Sequence, residues 1–194
     1  MFRPALVMTA LLLSAMVSAQ EFNYTYVEGG LLYVDDRKTG LDLDSYGGFV
    51  GGSFAVNDNF YLSASYAKVE FDDVDDFDSS VMALGFGFNT SISNAVDFVV
   101  SLSWLYAKVD VDRIGSDSDN GVDLNAGIRT WLNDSLEFNA GVGVSKLSDS
   151  DNNASVSAGL EYYVTDNISV GLRGSWSDNE VAGYTLGLRY NFDN

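Results

Sequence analysis

The chain has 194 residues, which favours a single domain, and it carries 28 acidic against 10 basic side chains for a net charge of −18. That excess argues against a nucleic-acid partner and against docking on anionic lipid through a basic patch. With no Cys there is neither a disulfide framework nor a thiolate metal site, and with no His the commonest general base and metal ligand is missing.

The chain opens on a targeting pattern. Met1, Phe2 and Arg3 form a short basic start, residues 5–17 form an apolar stretch, and Val17, Ser18 and Ala19 make a small-x-small cleavage site. Residues 1–19 are therefore expected to be a cleaved signal peptide, with 20–194 as one mature domain. The apolar stretch, about a dozen residues, is too short to cross a bilayer as a helix. No Cys follows it, which excludes a lipoprotein anchor.

Ten segments follow, separated by breaks of two kinds. They cover residues 22–34, 43–56, 60–71, 79–90, 96–109, 121–132, 136–147, 154–164, 168–176 and 183–192. Short Asn/Asp/Ser breaks at 57–59, 91–94, 133–135 and 166–167 have tight-turn composition. Longer acidic breaks at 35–42, 72–78, 110–119, 148–153 and 178–181 alternate with them. Short turn then long loop is the up-and-down rhythm of a membrane-spanning barrel with periplasmic turns and outside loops. Gly29 with Gly30 and Gly47 with Gly48 are expected to be bulges that shift the register of the first two strands. Eight strands remain an alternative to ten.

Within the segments, side chains alternate. Leu136, Phe138, Ala140, Val142 and Val144 oppose Glu137, Asn139, Gly141, Gly143 and Ser145, and Tyr184, Leu186, Leu188, Tyr190 and Phe192 oppose Thr185, Gly187, Arg189 and Asn191. One face suits lipid. The other is Gly, Ser and Asn with a few charges, poor cover for a soluble barrel or sandwich. Aromatic residues gather near both ends of the segments: Phe60, Phe98, Phe138, Tyr162 and Phe192 at the short turns, and Tyr66, Trp104, Tyr106, Trp176 and Tyr184 toward the long breaks. Two such rings are the interfacial girdles of an all-β transmembrane barrel.

The tail, Thr185, Gly187, Tyr190 and Phe192, resembles the C-terminal assembly signal of outer-membrane proteins, except that Asp193 and Asn194 follow the final aromatic. The mature chain as a whole resembles the small outer-membrane β-barrel proteins of the OmpA- and OmpX-like group, whose members have eight strands. The resemblance implies a bacterial outer-membrane location and insertion by the barrel-assembly machinery.

Six inward charges lie near the short turns: Asp97, Arg129, Glu137, Glu161, Arg173 and Arg189. Opposite signs on neighbouring strands are expected to pair as a lumenal belt, either a lock that closes the barrel or a selectivity constriction. Asp72, Asp73, Asp75, Asp76 and Asp78 form a strongly acidic break. Asp117, Asp119 and Asp123 around Gly121 have the flavour of a weak Ca²⁺ loop, without the distal Glu of an EF-hand. No other cofactor is expected.

Catalysis has little to build on, because the enzymes among small barrels lean on His. The expected function is structural or surface-interacting, with a narrow cation-preferring channel as the alternative and an outer-membrane enzyme a distant third. The expected setting is a monomer in outer-membrane lipid and lipopolysaccharide, with both termini periplasmic. Nothing follows the last strand, so no peptidoglycan-binding domain is expected.

Overall fold

The structure, a computed structural model, describes residues 21–36, 43–71, 77–111, 115–148, 151–178 and 181–192. The signal-peptide segment and the acidic stretch 72–76 lie outside the described residues. Ten strands run in chain order: β1 Tyr26–Asp36, β2 Leu43–Ala55, β3 Phe60–Phe71, β4 Phe77–Ser93, β5 Val96–Val111, β6 Gly115–Asn133, β7 Leu136–Leu147, β8 Asn153–Tyr163, β9 Ile168–Ser177 and β10 Val181–Asn191. Each pairs antiparallel with its sequence neighbours, and β1 pairs with β10 to close the barrel. Closure leaves no edge strand, which is what a sheet needs where no water can satisfy its backbone.

The faces are inverted relative to a soluble protein. Leu31, Val50, Phe54, Leu62, Leu102, Leu172 and Leu188 are exposed, whereas the buried apolar residues among the described ones are four aromatics, Tyr24, Tyr61, Trp131 and Tyr163. Glu137 and Glu161 are buried instead, each 1% exposed. An apolar outer wall of this extent calls for a lipid surround. The outward aromatics form the two expected rings.

Two expectations about local structure are corrected. The register runs unbroken through Gly29, Gly30, Gly47 and Gly48. At Gly30 and Gly47 the backbone of the adjacent strand occupies the place a Cβ would take, so these glycines serve close strand approach rather than a bulge. The register shifts fall at Ser91/Ser93 and Trp131/Asn133, beside short turns.

Most of the break expected at 110–119 is also strand. Asp110 and Val111 end β5, and Gly115 to Asp119 begin β6 in register with it. At about 3.3 Å per residue and a tilt of about 40°, the 19 residues of β6 rise about 48 Å, against about 25 Å for the 10 residues of β9. The shorter value matches the apolar band of such barrels. The acidic start of β6 therefore stands beyond that band, where a hydrogen-bonded strand tolerates polar residues on both faces. Gly115, with φ +121°, accommodates the turn into it.

Candidate functional site: the sealed turn end of the lumen

The barrel has a turn end, carrying the short hairpins, and a loop end. At the turn end the inward positions carry charges rather than Gly or Ser. Glu137 on β7 and Glu161 on β8 are direct cross-strand partners, an arrangement that by itself is repulsive. Each is neutralised from its other side. Arg129 on β6 grips Glu137 with two parallel bonds, Nε to Oε1 at 2.7 Å and Nη2 to Oε2 at 2.8 Å. The Tyr163 hydroxyl donates a longer bond to the same carboxylate at 3.3 Å.

Glu161 accepts from the Ser169 hydroxyl at 2.7 Å and from Arg173 at 3.2 Å, with Arg189 at 3.8 Å. Arg173 and Arg189 in turn converge on Glu28 of β1, the former with both Nη atoms at 3.1 and 2.8 Å, the latter at 3.1 and 2.8 Å. Glu28 closes the network across the β1–β10 seam. The Arg189 guanidinium also lies 4.0 Å from the centre of the Tyr26 ring.

Asp97 on β5 is the direct cross-strand partner of Arg129, whose fork goes to Glu137. It accepts from the Tyr24 hydroxyl at 2.8 Å and the Ser91 hydroxyl at 2.7 Å. All six charged residues expected at the belt are therefore brought to the turn end of the lumen, together with Glu28. Four carboxylates face three guanidiniums, so the assembly is one negative charge from balance. Packing around it is tight: the cavity bounded by Glu28, Phe49, Glu161 and Arg173 holds only about 10 Å³, no more than a single water.

The segment before β1 completes the seal. Phe22 and Tyr24 turn their rings inward and flank Arg129, whose guanidinium carbon lies 5.0 Å and 4.7 Å from their centres. Phe22 stacks on Trp131 and Tyr24 on Tyr61, with centroids 5.6 and 5.2 Å apart. Arg129 also donates to the Asn23 carbonyl at 3.2 Å. The segment is tied to the wall, because Asn23 Nδ2 donates to the Phe192 carbonyl at 2.6 Å and the Phe192 amide to the Thr25 carbonyl at 3.0 Å. Charge, aromatic stacking and backbone bonds thus converge on one cross-section.

Above this level many inward positions are small, although Leu32, Phe49 and Leu105 also face the lumen. Ser63, Ser65, Gly85, Ser101, Ser103, Gly141 and Gly143 line the lumen, joined by Asn125 and Asp123, which hydrogen-bond each other. Asp117, Asp119 and Asp123 occupy inward positions of one extended strand. Two residues apart on a strand is about 6.6 Å and four apart about 13 Å, so Asp123 stands well apart from Asp117 and Asp119. Among the described residues no group of three or more acidic side chains is close enough to hold a metal.

Of the assembly-signal positions, Thr185 and Gly187 face inward on β10, while Tyr190 and Phe192 face outward at 46% and 43% exposure. Glu28, Tyr24, Phe22 and Trp131 were not anticipated. The signal for Glu28 was present, because alternation from Tyr26 through Gly30 places it inward once no bulge is assumed.

Comparison with known proteins agrees with this architecture. The NanC porin superposes with a TM-score of 0.54 at 9% identity, covering 87% of this chain and 100% of the porin. The translocator domain of autotransporter NalP from Neisseria meningitidis gives 0.52 at 13% identity, covering 89% and 90%. At such identities the likeness is one of fold alone. No curated protein sequence matches the chain. The family model described as outer membrane protein beta-barrel domain matches residues 5–162. With that match spanning most of its length, and with its wall facing outward to lipid, the chain belongs to the outer-membrane β-barrel family of bacteria.

Proposed function

We propose that this protein is a closed, monomeric outer-membrane barrel with a structural or surface-interaction role. Both termini and the turn end lie in the periplasm, and the acidic rim faces outward. The observation that carries the reading is the sealed turn end: three Arg, four carboxylates and two stacked aromatics fill one cross-section of a ten-stranded barrel. A barrel of this size encloses little more than side chains can fill. The tail resembling an assembly signal favours delivery by the barrel-assembly machinery into a membrane of phospholipid and lipopolysaccharide.

Planar-bilayer recording tests closure. The wild-type barrel is expected to be electrically silent, and stable conductance steps would overturn the closed reading. A narrow cation-preferring channel is the second reading, favoured by the Gly- and Ser-lined lumen above the seal and by inward-facing Asp117, Asp119 and Asp123 at its mouth. It requires wild-type steps that are selective for cations. A barrel enzyme stands third, since the chain has no His to serve as a base.

A further inference from the structure

Asp123 is stranded above the belt. It faces the lumen from β6, and Arg129 lies about 20 Å away along the strand, about 15 Å along the axis at a tilt of about 40°. Among the described residues no cation pairs with it, and its hydrogen-bond partner is the Asn125 amide. The guanidiniums of Arg129, Arg173 and Arg189 are engaged in the belt, and Lys68, Lys108 and Lys146 stand on the outward face. A half-buried carboxylate in this position gains from a counter-ion that these residues do not supply.

Its surroundings sort an organic cation from an inorganic one. Ser103 and Ser145 are its direct cross-strand partners, so two hydroxyls flank the carboxylate on the lumen face. One row toward the loop end lie Ala83, Leu105, Gly121 and Leu147, in unbroken register. Gly121 has no side chain, and Leu147 leans over it, its Cδ2 2.8 Å from the place a Cβ would take. Leu105 and Leu147 thereby make an apolar shelf beside the carboxylate, which Val81 and Ala107 extend by a further row. The lumen is hollow at this height. Ser65, the partner of Ala83, is exposed although it faces inward, and inward-facing Val81 is 39% exposed.

A hydrated inorganic ion satisfies Asp123 but gains nothing from the leucines. An ammonium carrying a methylene chain satisfies both, with three N–H donors for Asp123, Ser103 and Ser145 and apolar surface for the shelf. From Asp123 to the row of Val81 and Ala107 is about 13 Å along the strands, or about 10 Å along the axis, enough for a short alkyl tail. Barrels of eight strands already hold one small ligand, and this barrel has ten.

We infer that the lumen above the seal binds one aliphatic amine, its ammonium at Asp123 and its chain along Leu105 and Leu147. The inference rests on the proposed function in one respect: the seal makes the lumen a well entered from the loop end, rather than a passage. It gives the surface-interaction role a ligand class. The test is isothermal titration calorimetry of the full barrel in zwitterionic nanodiscs, with n-hexylamine as the probe and the heats of empty nanodiscs subtracted.

Saturable binding of one hexylamine per barrel is expected, with methylamine about tenfold weaker and n-hexanol giving no saturable heat. Asp123→Asn is expected to weaken hexylamine by about tenfold or more. Leu105→Ser is expected to weaken it several-fold while leaving methylamine unchanged. Heat-modifiable gel migration reports folding of both variants, and if Asp123→Asn does not fold, Leu105→Ser carries the test. Absent saturable heat, equal hexylamine affinity in a folded variant, or methylamine as tight as hexylamine overturns the site, and a silent bilayer recording then leaves the closed barrel standing. Saturable hexylamine binding by a barrel that shows conductance steps keeps the site and overturns the closed reading alone.

Discussion

Arg129 makes the densest set of interactions in the lumen: a fork to Glu137, two aromatic faces and a backbone carbonyl. Because Glu137 is 1% exposed, Arg129→Ala leaves a carboxylate with no guanidinium and little water. Removing one partner of a buried pair costs about 3–5 kcal/mol, so the variant is expected to unfold in micelles at markedly lower urea, read by tryptophan fluorescence. Arg129→Lys keeps the charge but not the planar fork and should fall between the two. Equal urea midpoints for wild type and Arg129→Ala would remove the pair from the account of stability. Glu28→Gln is expected to shift the midpoint in the same direction, since it removes the negative charge that Arg173 and Arg189 share and replaces one acceptor oxygen with a donor. These charges were legible in the sequence where alternation was clean, as at Glu137 and Arg189. Glu28 was hidden by the glycines after it, whose role in close strand approach looks like a bulge until the neighbouring backbone is placed. Tyr24 could not be read at all, because its ring serves the lumen from outside any strand.

At the scale of elements, composition misled at the glycine pairs of β1 and β2 and where the membrane stops. The acidic opening of β6 reads as a loop, but its pairing with β5 depends on backbone bonds and not on an apolar face, which outside the bilayer a strand does not need. Ten strands and their faces were otherwise legible, because lipid enforces alternation over every spanning segment. The segment before β1 carries a prediction of its own. Its side chains contribute two rings and the Tyr24 hydroxyl bond to Asp97, while its backbone ties to the wall survive truncation, so Phe22→Ala with Tyr24→Ala should keep the barrel folded while uncovering Arg129. Conductance steps absent from wild type are expected in bilayer recordings of that double variant. Continued silence would place the block in the charged belt alone. At the other terminus, Phe192 holds the wall through its backbone and exposes its ring. Phe192→Ala should therefore leave refolding in detergent unchanged yet lower the yield of barrel inserted in cells. Equal yields would deny the tail its role in assembly.

For the molecule as a whole, charge is distributed along the barrel axis as well as summed. At the turn end the carboxylates of the belt are paired, while the loop end adds Glu70, Asp78, Asp110, Asp117 and Asp119 beyond the aromatic ring, in a chain of net −18. Connections crossing the hydrocarbon during assembly must shed their hydration, and short hairpins such as 56–59 and 164–167 are small, whereas the acidic hairpins at the other end are a heavy load. Barrels of this class nevertheless send their longer connections outward and keep short turns in the periplasm. In the proposed orientation the seal at the turn end closes the lumen on the periplasmic side and leaves an acidic vestibule facing the exterior. An epitope inserted between β1 and β2 is accordingly expected to be labelled by antibody on intact cells. One inserted in the turn between β2 and β3 should be labelled only after the outer membrane is permeabilised. The reverse pattern would put the termini and the Arg129 seal on the cell surface, and would turn the acidic rim toward the periplasm.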